Sequence, residues 1–208
     1  MRNMEEFLTP QERWEKDNGD EIKIIDYPLD STSQVIEIGG FTGVWSKKII
    51  DKFNPNLIIV EPVPNFVYEL TRNFGENPKV NIEGIAISTS NKKINLYVNG
   101  CATSEMVKVS NKKISVDCYD INYLLSKYNL SKIDLIQVNI ECEEYPLIIN
   151  WIETGFLKNV KYLQVQFHTF CENYEEKYES IYKGLKKIGF EINYKYDFVW
   201  ESWINKTI

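Results

Sequence analysis

The chain is poor in the residues that most often advertise chemistry. Its 208 residues include a single histidine and four cysteines, at positions 101, 118, 142 and 171, with no CxxC pair among them. That combination excludes a zinc site of the usual Cys/His kind. No apolar run is long enough to span a bilayer, so membrane insertion is not expected. The opening stretch MRNMEEFLTPQERWEKDNGD lacks an apolar core of signal-peptide length, and the expectation is a cytoplasmic protein with reduced thiols. A basic face is missing too. The net charge is −6 and the lysines fall in scattered pairs, so nucleic acid is not an expected partner. Neither repeats nor a low-complexity linker divide the sequence. It reads as one domain over residues 1–208, with 1–30 a helical extension and a short strand.

What the chain does have is alternation of two kinds. Met4 to Lys16 reads as a charged helix interrupted by Pro10, and Glu21 to Tyr27 as a short edge strand. From Gln34 onward, apolar runs alternate with helical spacing. VIEIG is followed by VWSKKIIDKF (Val44–Phe53), with Trp45, Ile49, Ile50 and Phe53 on one side. LIIVEP is followed by NFVYELTRNF, then NPKVNIEGIAIS forms a third strand with a glycine break. Lys93 to Tyr97 and Lys113 to Val116 look like strands around the polar loop NGCATSEM. Tyr119 to Tyr128 is helical, IDLIQVNIE is a buried strand, and Tyr145 to Thr154 is a helix stopped by Gly155. VKYLQVQFH is another strand, Asn173 to Ile188 a helix, and the aromatic tail a terminal antiparallel hairpin. Continuous apolar strands are buried on both faces, which implies an α/β fold with a mostly parallel sheet between helices and an antiparallel last strand.

In such a sheet the carboxyl ends of the strands share one edge, where ligands bind. Here they read EIGGFTG, VEP, GIAIS, VNIECEE and VQFH, and four of the five carry an acid or a histidine. Gly39, Gly40 and Gly43 do not fit the GxGxxG spacing of a dinucleotide cradle. Glu37 would repel a pyrophosphate there but suits a cationic head such as an ammonium beside a sulfonium. Glu61 is placed to accept from both hydroxyls of a ribose. Together these point to S-adenosylmethionine rather than NAD.

With those motifs in view, the sequence resembles the FkbM-type S-adenosylmethionine-dependent methyltransferases. That family reads D-V-G-A-N-x-G at the first strand, E-P at the second and K-I-D-V-E-G-x-E at the fourth; here the positions read EIGGFTG, EP and QVNIECEE. A branch associated with polysaccharide biosynthesis is closer, sharing Asn139-Ile140-Glu141 with Glu144-Tyr145, the Gln166-Phe167-His168 strand end and the C-terminal Phe198-Val199-Trp200-Glu201-Ser202-Trp203. The resemblance implies a class I methyltransferase fold: three layers around a seven-stranded, mostly parallel sheet. It implies a cofactor site from Glu37, Gly39, Gly40, Thr42, Gly43, Glu61, Pro62, Ile85, Ala86 and Asn139. His168, Glu141 and Glu144 would form the catalytic group, with no metal, acting on a small-molecule or glycan acceptor: a sugar hydroxyl in a glycan, a nucleotide-sugar or a related small metabolite. Two departures from the family pattern, Gln137 for lysine and Cys142 for glycine, favour the rival reading of a catalytically silent binding module. An NAD-dependent oxidoreductase is the weaker rival.

Each residue also has a plain structural reading. A neutral histidine suits proton abstraction near neutral pH, but a lone histidine also serves as a buried, satisfied side chain. Glu141 and Glu144 fall where a helix N-terminus favours carboxylates anyway. Glu37 and Glu61 also suit capping of the next turn, and Glu201 with Trp200 and Trp203 reads first as sheet cover. Ser104 and Glu105 in NGCATSEM are candidates to cover the acceptor.

Overall fold

The computed structural model describes residues 8–97 and 113–208. The start of the first expected helix, Cys101 and the Ser104–Glu105 loop lie outside the described residues.

Seven strands form the main sheet: β1 (Gln34–Ile38), β2 (Asn56–Val60), β3 (Val80–Glu83), β7 (Ile133–Val138), β8 (Val160–Val165), β9 (Phe190–Tyr196) and β10 (Trp200–Asn205). Their order is β3-β2-β1-β7-β8-β10-β9. The pairs from β3 through β8 are parallel, and β10 runs antiparallel to both neighbours. The expected antiparallel last strand is therefore present. A second sheet, in the order β4-β6-β5, joins β4 (Ala86–Ile87), β5 (Lys92–Tyr97) and β6 (Lys113–Tyr119).

Alternation along the central strands explains the layers. Ile36, Ile38, Ile58, Val60, Ile136 and Val138 face one core cluster, which takes Leu124 of α4 (Asn122–Tyr128), Ile148 and Trp151 of α5 (Glu144–Thr154) and Ile181 and Leu185 of α6 (Tyr174–Lys187). Val35, Leu57, Ile59 and Leu135 face the other, with Trp14 of α1 (Pro10–Lys16), Trp45 and Ile49 of α2 (Val44–Phe53) and Leu70 of α3 (Pro64–Phe74). Residues one apart on a strand thus enter different cores, which is why these strands read as unbroken apolar runs.

Several expectations are corrected. Pro10 does not interrupt a helix; it opens α1 behind a Thr9–Glu12 capping box, where a missing N–H costs nothing. Glu21 to Tyr27 is not a strand. It is a turn leading into a 3-10 turn at Lys23–Ile25, with Ile24 and Tyr27 buried against the sheet. The sheet holds this segment through side chains: Gln164 Nε2 donates to the Ile24 carbonyl at 2.9 Å, and Tyr27 donates its hydroxyl to Ser202 Oγ at 2.9 Å. The third strand divides at Gly84, so that β3 pairs with β2 and β4 with β6. Helix α4 begins only at Asn122, because Cys118 and Tyr119 are committed to β6. Finally, the thiols are not all reduced: Cys142 and Cys171 are joined in a disulfide, while Cys118 is buried outside it.

Candidate active site

The glycine turn after β1 is built by close approach. The N–H groups of Gly39 and Gly40 both donate to the Val60 carbonyl, at 2.9 and 3.1 Å, tying the turn to the end of β2. Gly39 has φ +95°, and a Cβ there would fall 2.0 Å from the Asn139 carbonyl oxygen at the end of β7. Only glycine satisfies both demands. Phe41 follows at φ +46° and donates its N–H to Glu61 Oε2 at 2.9 Å; Val63 donates to Glu61 Oε1 at 2.8 Å. Glu61 therefore holds the turn with one lone pair on each oxygen and keeps others for a ligand. Burial raises its pKa above the ordinary carboxylate range, while the two N–H bonds pull the other way.

Two cavities meet at this turn. The first holds about 280 Å³ and is lined by Gly39, Glu61, Pro62 and Ala86 on one side and by Asn139, Glu141 and His168 on the other. The second, about 410 Å³, takes in Glu37, Gly39, Gly40 and Asn139, with Asp20, Glu21 and Lys48 at its edge. Gly39, Phe41 and Asn139 border both. The strand-end residues expected to converge thus do so, apart from four. Thr42, Gly43, Ile85 and Glu144 are not on either wall. Gly43 instead lets the chain enter α2 at φ +83° against Phe74, and Ile85 belongs to the core.

Glu37 is 1% exposed and accepts a hydrogen bond from the Ser46 hydroxyl of α2. Burial, reinforced by the charge of Glu61 and offset in part by Ser46, pushes its carboxyl up to about 8. It is mostly protonated at neutral pH until a cation lies beside it. Register places it next to Gln137, which is next to Gln164, which is next to Ser202, so a buried polar row crosses the sheet beneath the N-terminal segment. Gln137 Oε1 and Asn139 Oδ1 are buried acceptors without a hydrogen-bond partner among the described residues.

At the opposite end of the first cavity, Glu144 Oε1 accepts the His168 backbone N–H at 2.9 Å and faces His168 Nδ1 at 3.1 Å. Nε2 lies 3.5 Å from Glu141 Oε1. Burial opposes charge on the ring, but the bonds and charges of Glu141 and Glu144 outweigh it and raise the pKa to about 9. Glu144 is fully buried and acts on the cavity only through the histidine.

Over residues 37–192 the sequence matches the model of the methyltransferase FkbM domain, three quarters of the chain. The chain belongs to the FkbM methyltransferase family. It is an S-adenosylmethionine-dependent methyltransferase. No curated protein matched the sequence. Among solved structures, it is similar to the Methanococcus jannaschii fibrillarin pre-rRNA processing protein (TM-score 0.54, 13% identity, 91% of this chain and 76% of that one). It is also similar to an rRNA methylase from Streptococcus thermophilus (TM-score 0.51, 8% identity, 96% and 98%). A third likeness is to Aeropyrum pernix fibrillarin with natively bound S-adenosyl-L-methionine (TM-score 0.50, 10% identity, 90% and 74%). At these identities the likeness shows the fold alone.

The methyltransferase's walls fit this cofactor. Orphaned acceptors on Asn139 and Gln137 await donors, and Glu37 is a carboxyl that a neighbouring ammonium would ionise. No Lys or Arg is found among the described residues lining the first cavity, which suits a sulfonium and disfavours a phosphate. Sequence reasoning missed the apolar part of this wall. Phe41 and Phe66 pack edge to face at 4.5 Å, and Ile94 and Leu96 of β5 close one side. The period-2 spacing of Ile94 and Leu96 was a legible signal of a shared face; its direction toward the site was not.

Proposed function

We propose that this methyltransferase transfers a methyl group to a hydroxyl oxygen of an uncharged, hydroxyl-rich acceptor, most readily a sugar. The observation that carries the reading is His168, gripped through Nδ1 by buried Glu144, with Nε2 turned toward Glu141 on the cavity wall. Glu141, Glu143, Gln166 and His168 line that end of the cavity and supply several acceptors for hydroxyl hydrogens. The absence of Lys and Arg among the described lining residues argues for a sugar rather than a phosphorylated nucleotide-sugar.

S-adenosylmethionine, when bound, supplies an electrophilic methyl group on a sulfonium. Glu61 would hold its ribose, with Pro62 and Ala86 beside the nucleoside; Glu37 and Asn139 would hold its amino-acid end. The chain's own work is then to align an acceptor oxygen, exclude water and remove a proton. Neutral His168 takes the hydroxyl proton on Nε2. Glu144 fixes the ring so that this nitrogen faces the cavity, and Glu141 stabilises the imidazolium that forms.

The test is transfer of labelled methyl groups to a panel of neutral glycans and nucleotide-sugars. Alkali-stable label on a neutral glycan, lost in His168→Ala, is the expected result. Label confined to phosphorylated acceptors, or unchanged in His168→Ala, would overturn the reading.

A further inference from the structure

The turn after β7 holds two successive non-glycine residues in the left-handed region, Glu141 at φ +51° and Cys142 at φ +86°. Each such residue costs on the order of 1–3 kcal/mol and persists only where its surroundings enforce it. A covalent constraint lies at this turn. Cys142, 2% exposed, is bonded to Cys171, with Cα atoms 5.6 Å apart. Cys171 lies three residues beyond His168, in the turn after β8. The bridge therefore joins the turn that carries Glu141 and Glu144 to the turn that carries His168.

Other contacts also cross between these turns. Glu144 grips the histidine twice, and Tyr145 donates its hydroxyl to the His168 carbonyl at 2.8 Å. Both come from the first turn of helix α5. The Glu141 contact is different: at 3.5 Å it is the longest, and it comes from the strained residue next to the bridged cysteine.

We propose that the Cys142–Cys171 disulfide is a redox-sensitive positioning element for the acceptor end of the site: closed, it sets the Glu141 carboxylate against His168; opened, it lets the Glu141–Cys142 turn relax and withdraws that carboxylate. The role assigned to His168 rests on the function proposed above; the coupling between bridge and ring does not. Cys171 is 7% exposed against 2% for Cys142, and it borders an open cleft of about 520 Å³ with Phe170, Glu172 and Asn173, so a reductant would approach from that side. A thiolate of a dithiol attacks Cys171 Sγ, the S–S bond breaks and Cys142 leaves as a thiolate. The second thiol of the reagent then displaces Cys171 and closes its own disulfide, so two electrons pass from dithiol to protein. The freed Cys171 thiol has an acceptor at hand, since its sulfur lies 3.1 Å from the His168 carbonyl oxygen. Disulfides of this sensing type are the ones a reducing compartment tolerates.

The single histidine makes the test direct, because its ring protons need no assignment. Proton NMR titration of the full chain before and after dithiol treatment, and of Cys171→Ser, reads the ring pKa in each state. Thiol counting under denaturing conditions confirms the bridge, and calorimetry with S-adenosylmethionine reports the rest of the site. The expected result is a gain of two titratable thiols on reduction and a ring pKa lower by about one pH unit after it, as one of two facing carboxylates is withdrawn. Cys171→Ser should match the reduced protein, with cofactor affinity changed by less than about threefold in both. Four free thiols at the outset, an unchanged ring pKa, or a pKa change accompanied by loss of cofactor binding would each overturn the proposal. Failure of the untreated protein to bind the cofactor would count against the methyl-transfer reading and leave the pKa comparison standing.

Discussion

Glu144 Oε1 meets His168 twice, accepting its backbone N–H at 2.9 Å and facing ring Nδ1 at 3.1 Å. One buried oxygen thereby fixes both the position of the residue and the orientation of its ring. Glu144→Gln should lower the ring pKa from about 9 toward the ordinary histidine value, because a neutral amide replaces a charge. The sign for stability follows. The folded pKa is raised, so the stabilisation is fully present below pH 6.5 and disappears as pH rises through about 9. Chemical denaturation at pH 6 and pH 10 should show a larger loss in wild type than in Glu144→Gln.

If Nε2 takes the acceptor proton, only the neutral ring is active. Turnover should rise about tenfold per pH unit below an apparent pKa of about 9 and level off above it. His168→Ala should cost on the order of 10²–10⁴ in kcat and flatten the profile. A profile that stays level between pH 6 and 9 would remove His168 as the base.

Burial holds the Glu37 carboxyl at about 8 in the ligand-free site, and an ammonium beside it would favour the ionised form. Binding of S-adenosylmethionine at pH 7 should therefore release protons, visible as a dependence of calorimetric enthalpy on the ionisation enthalpy of the buffer. Glu37→Gln should abolish the release and weaken binding by roughly 10- to 100-fold, the range for a hydrogen bond to a charged group.

Gly39→Ala would place a methyl group 2.0 Å from the Asn139 carbonyl oxygen on a backbone at φ +95°. Both strands carrying the site would have to shift. The expected cost is at least about 2 kcal/mol in denaturant unfolding, with cofactor binding lost as well.

Much of the architecture was legible because burial on two faces leaves an unmistakable signature. Val35–Ile38 and Leu57–Val60 are apolar nearly throughout, since neighbouring residues serve different cores. The segment at Glu21 to Tyr27 was misread for the converse reason. Its apolar residues are held by side chains from strands more than a hundred residues away, Gln164 and Ser202, and no local pattern encodes that. The site divided in the same way. Strand-end acids and glycines were visible as letters, so Glu37, Glu61, Glu141 and His168 could be named. Phe41 was not among the residues named; its ring packs on Phe66 at the cavity, which only the tertiary turn reveals. Cys142 read as a departure from the family's glycine and not as half of a bridge, because its partner lies 29 residues on in a different turn.

The most direct test of the account is whether the cavity beside the glycine turn is the cofactor site and whether Glu61 is part of it. Calorimetry on wild type and Glu61→Gln with S-adenosylmethionine, its demethylated product and NAD answers both. The account predicts binding of the first two by wild type, no binding of NAD, and affinity reduced at least about tenfold in the variant, the equivalent of one lost charge-assisted hydrogen bond. Binding of NAD, or equal affinity of the two proteins for S-adenosylmethionine, would contradict it.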